Sequence, residues 1–78
     1  MNTYIENAVV ELSKKTLRDI QIETAKTWAG RACAAAQMCL IHDAIEYAHE
    51  SIEHAALSGN DSLLREVKYT MKQYGIEV

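Results

Sequence analysis

The chain has 78 residues, enough for one small core, and its 8 Lys and Arg against 11 Asp and Glu give a net charge of −3. So slight and acidic a balance argues against nucleic acid, whose phosphates require clustered Lys and Arg, and no apolar run is long enough to cross a bilayer. Pro and Phe are absent, Gly occurs three times, and Ala, Glu, Leu and Ile dominate, which is a helix-forming composition.

The N-terminal stretch MNTYIENAVVELSKK lacks a basic start followed by a hydrophobic block, so no signal peptide is expected. Thr3-Tyr4-Ile5-Glu6 has the spacing of a capping box, and Ile5, Ala8, Val9 and Leu12 follow at helical intervals. The next apolar residue in line, Leu17, comes five positions after Leu12. That slip predicts a break or kink at Ser13-Lys14-Lys15-Thr16, with Thr16 capping the next helix.

From Leu17 to Cys39 the apolar arc widens. Leu17, Ile20, Ala25, Trp28, Ala32, Ala35, Ala36 and Cys39 cover one side, and Ile22, Ala29 and Cys33 extend it. An arc this wide predicts a central helix touched on more than one side, with Trp28 its only large anchor. Gly30 falls on the polar strip, where it costs roughly 1 kcal/mol relative to Ala. Cys33 and Cys39 would lie ~9 Å apart along one helix axis, too far to bridge. They are expected as two reduced, packed thiols of a cytoplasmic protein.

Continuing the same stripe would put His42, Glu46, His49 and Glu53 in line with Trp28, turning a buried face into a charged one. A turn near residues 39–42 resolves the conflict, with Asp43-Ala44-Ile45-Glu46 as a second capping box. In the next helix Ile41, Ala44, Ile45, Ala48, Ile52, Ala55 and Ala56 form one arc. His42, Glu46, His49 and Glu53 form the opposing arc, adjoined by Asp43, Glu50 and His54, so the histidines are expected on a water-facing surface. Ser58-Gly59-Asn60-Asp61 is the clearest loop, with Gly59 ending one helix and Asn60 or Asp61 capping the next. The last helix carries Leu63, Leu64, Val67, Met71 and Tyr74 on one stripe up to Gly75, with Arg65, Lys68 and Lys72 outside. The fold class is therefore all-α: a bundle of three to four helices at about 3–13, 16–39, 43–57 and 61–74, in one domain spanning 1–78.

Several constellations can be weighed on this frame. His42, Glu46 and His49 follow i, i+4, i+7 spacing, and Glu46-x-x-His49 matches an element of di-iron helical bundles. Such sites take further carboxylates from other helices, and Glu23 is the only candidate donor. Exposed i, i+4 pairs, His42 with Glu46 and His49 with Glu53, account for the same pattern on a solvated face. No metal or cofactor is expected; His42, Glu46 and His49 at an oligomer interface form the alternative. Neither cysteine has a histidine at helical spacing within its own helix, and no phosphate loop, nucleophile elbow or zinc-type pairing occurs, so an enzyme is not expected. A helix-turn-helix over ETAKTWAGRACAAAQM would offer only Arg31 and Gln37 to DNA.

Trp28, Ala32, Ala44 and the AIEYA stretch resemble one tetratricopeptide repeat in spacing, although Ala56 stands where that family has its terminal proline and no second repeat is present. The resemblance implies packed antiparallel helices that bind other proteins. The expected function is that of a non-enzymatic helical interaction or accessory protein in the cytoplasm. It would self-associate because the small-residue face around Trp28 exceeds what one short chain covers. Trp28, Arg31, Glu46, Glu50 and Glu53 are the candidate contact residues for a protein partner of basic character.

Overall fold

Nothing between Ser13 and Thr16 is a helix breaker, and the backbone runs straight through. The computed structural model describes the backbone of residues 3–78 and the side chains from Thr16 onward. These residues form three helices and no strand: α1 over Thr3–Gln37, α2 over Ile41–Leu57 and α3 over Asp61–Gln73. The segments expected at 3–13 and 16–39 are thus one helix. The slip in the apolar stripe marks a change of the face used, not a break in the backbone. The Thr3–Glu6 capping box lies outside the described side chains.

The turn expected near 39–42 is present, but its chemistry differs from expectation. Leu40 N–H donates to Ala35 O at 2.9 Å and Cys39 N–H to Ala36 O at 3.1 Å. That double closure is a Schellman motif, and it holds Cys39 at φ 61°, in the left-handed region. No Gly signals the turn because a cysteine occupies the glycine position. Asp43 is not the cap of α2: Leu40 is, with no side-chain hydrogen bond, and Asp43 sits in the first turn, where a carboxylate favours the helix dipole. Cys39 is exposed and not packed, and both thiols are free.

The other two ends agree with expectation. Gly59 and Gly75 adopt φ 71° and 73°, and the Asn60 side chain accepts from Leu63 N–H at 3.0 Å. Buried Ser58 ties the intervening loop, donating to Ala55 O at 2.6 Å and accepting from Asn60 N–H at 3.2 Å. After α3, Ile76 N–H donates to Met71 O at 2.9 Å, folding Ile76 back into the core beside Met71.

Helices α1 and α2 are antiparallel. Gln21 meets His54, Ala25 meets Ser51 and Trp28 meets Tyr47 in descending order. Ala25, Ala32 and Ala35 of α1 are buried, as are Ala44, Ala48, Ser51 and Ala55 of α2. With no side chain larger than a methyl or hydroxymethyl at these positions, the two backbones approach closely. Ser51 Oγ uses that proximity to donate to Ala25 O at 2.7 Å. Leu63, Val67, Met71 and Ile76 close the third side, so the larger apolar groups of the core come from α3 and its tail. Ile45 and Ile52 pack partly buried against this core, as their arc predicts.

Three expectations about burial need correction. Trp28 is half-buried at the edge of the α1–α2 pair, not central. Leu17, Ile20 and Ile41, assigned to covered arcs, are more than half exposed. The small-residue face is covered within the chain by α2 and α3, so it leaves no gap for another chain to fill. The molecule is a rod of 57 × 18 × 12 Å, because α1 has 35 residues and α2 only 17.

Gly30 lies exposed inside α1 with nothing within 4 Å of the place a Cβ would occupy, whereas Cys39 holds a backbone angle suited to Gly. Gly30→Ala and Cys39→Gly should each stabilise the chain by about 0.5–1 kcal/mol, the first through chain entropy, the second by relieving a left-handed residue. Urea midpoints should rise for both and add in the double variant; a lower midpoint for Cys39→Gly would contradict the turn geometry.

Candidate functional site

The polar face of α2 is laid out as its phase requires. His42, Glu46, His49, Glu50 and Glu53 are all exposed. Among the described residues no three of His, Cys, Asp and Glu are grouped so as to hold a metal ion, so His42, Glu46 and His49 do not converge within the chain. His54 departs from expectation. It is half-buried, its Nδ1 is 2.5 Å from Gln21 Oε1, and its Nε2 lies 3.7 Å from Glu50 Oε2. The histidine thereby ties α2 to α1 near the end of their contact, a pairing that spans 33 residues of sequence.

The structure does bring Trp28, Arg31, Glu46 and Glu50 to one surface, through a residue that periodicity does not single out. Tyr47 stands between the two arcs of α2, half-buried, and its ring centroid lies 5.5 Å from that of Trp28 at a 37° tilt. Offset, tilted rings at this separation suit the quadrupoles of both. On the far side the Arg31 guanidinium carbon sits 5.0 Å from the Trp28 centroid, one helical turn away on α1. Trp28, Tyr47, Glu46, His49 and Glu50 line a shallow, open concavity beside this stack. Glu53 lies farther along α2 and does not line it. The sequence signal for Tyr47 is the antiparallel register: once Ala25 faces Ser51, position 28 must fall near 47.

Each component holds its place for a local reason. Trp28 is fixed by Tyr47 from α2 and by Arg31 from its own helix, so the indole loses little further freedom on contact with a partner. Glu46 and Glu50 are i, i+4 neighbours on one helix, which keeps two carboxylates at the same rim. A second open groove runs between α2, α3 and the C-terminal residues, lined by His49, Ile52, Lys68, Lys72 and Ile76. Lys68 and Lys72 give it a sign opposite to that of the Trp28 rim. Elsewhere, burial raises the Cys33 thiol above its ordinary value, which keeps it protonated and unreactive near neutral pH.

No helix among the described residues is long and apolar enough to cross a membrane. No protein-family model, curated protein or solved structure matches the chain.

Proposed function

We propose that the chain is a non-enzymatic helical interaction protein that self-associates and docks a basic protein segment on the surface around Trp28. The observation that carries this reading is the Arg31–Trp28–Tyr47 stack, held at 5.0 and 5.5 Å beside Glu46 and Glu50. Trp, Tyr and Arg are the residue types that dominate binding energy at protein interfaces, and a pre-ordered aromatic pair binds with little loss of side-chain entropy. The acidic rim selects for Lys or Arg on the incoming segment and steers its approach. Glu53, farther along the same helix, extends the negative field toward such a partner.

The test compares capture of partners by the wild-type chain, Trp28→Ala and Glu46→Lys/Glu50→Lys. A partner that uses this surface should bind Trp28→Ala about 30-fold more weakly, the effect of losing a central aromatic worth ~2 kcal/mol. It should be lost to the charge-reversed chain, and wild-type binding should weaken as salt rises. Equal binding by all three chains, with circular dichroism unchanged, would refute the docking surface.

A further inference from the structure

The first half of α1 extends past its partner helix. At ~1.5 Å per residue, 35 residues reach ~52 Å while the 17 residues of α2 reach ~26 Å. The α1–α2 contacts end near Gln21, opposite His54, three residues before α2 stops at Leu57. Of the residues just before that point, Leu17 is 62% exposed and Ile20 54%. Ile5, Val9, Leu12, Thr16 and Ile20 recur at intervals of four, three, four and four, which places them in one stripe along the helix. At ~100° per residue, Ile20 is turned ~140° from Ala25, and Ile5 ~160°. This stripe therefore lies on the side of α1 away from the alanine face that α2 and α3 cover. No lengthening of α2 would reach it, so its cover must come from outside the chain. A helix of this length without a packed face is marginal in water.

We infer that a second copy of this chain covers that stripe, laid antiparallel about a two-fold axis near Leu12 and Ser13; the inference rests on the self-association proposed above and assigns it a surface. Self-complementarity in the sequence is what points to a second copy. About a centre between positions 12 and 13, Ile5 of one copy falls level with Ile20 of the other, Val9 with Thr16, and Leu12 with Ser13. The charges are divided the same way. Glu6 and Glu11 occupy the first part of the arm and Lys14, Lys15 and Arg18 the second. Antiparallel pairing opposes the acidic part to the basic part, whereas parallel pairing stacks like on like. Glu6 and Asp19 also fall level, but they flank the stripe on opposite edges and do not face each other.

The experiment uses the full-length chain. Sedimentation equilibrium should show a dimer for the wild type and a monomer for Ile20→Lys, with the α1–α2–α3 core melting unchanged. In a Cys33→Ala/Cys39→Ala background under mild oxidation, Ser13→Cys should form a covalent dimer, and so should Ile5→Cys/Ile20→Cys. Ile20→Cys alone should not, since its two copies would stand ~22 Å apart. If Ile20→Cys links as readily as Ser13→Cys, the pairing is parallel and the inference falls. If Ile20→Lys remains dimeric, self-association stands but uses another surface, and the inference again falls. A wild-type chain that stays monomeric at high concentration overturns the inference together with self-association itself.

Discussion

Met71→Ala should cost about 2–5 kcal/mol of stability, the range for emptying a buried long side chain. Met71 is fully buried, and it is the bulkiest side chain so enclosed. Around it the core is built chiefly from alanines, so few neighbouring atoms can move in to fill the space it leaves. The same residue anchors the tail, because its carbonyl accepts from Ile76 N–H. A chain of 78 residues has only ~4–12 kcal/mol in total, so the variant should be partly unfolded at body temperature. Urea denaturation tracked by circular dichroism measures the loss. A change below ~1 kcal/mol would mean that α3 does not pack on the α1–α2 pair through this face.

Ala48→Leu should destabilise by about 1–3 kcal/mol or more, although it adds apolar surface. Ala48 has no exposure and lies on the face where α2 meets the buried alanines of α1. Extra carbon atoms there can be accommodated only if the two helices separate. Separation would also stretch the Ser51 to Ala25 hydrogen bond and the Gln21–His54 contact farther along. Ala56→Leu, one face away and exposed, is the control and should change stability by no more than about 0.5 kcal/mol. Equal melting temperatures for the two variants would show that the helices are not closely apposed at Ala48.

Much of the fold was legible because its signals are periodic. The phase conflict at Cys39, where a buried stripe would have become His42, Glu46 and His49, located the α1–α2 turn without any Gly to mark it. Gly59, Asn60 and Gly75 located the remaining helix ends through turn chemistry. Phase misled at Leu12–Leu17, since a slip in the stripe is compatible with an unbroken helix whose two halves face different neighbours. Size misled at Trp28. In a sequence this poor in aromatics the largest side chain suggested a centre, but a core of alanines has no room for an indole, which is left at the edge. The candidate surface was legible in its charged members, Glu46 and Glu50, and in Trp28 with Arg31. Tyr47 and the half-buried His54 depend on the helix register, which is a property of the fold and not of any short stretch.

The overhang of α1 also governs how large the molecule looks. Its radius of gyration is 15.8 Å, the value of a compact chain of about 180 residues, more than twice its own 78. On a sizing column calibrated with compact standards, one 8.8 kDa chain should therefore elute where a compact dimer would. Deleting the overhang should delay elution far more than the lost mass implies, while light scattering at the peak reports the true number of chains.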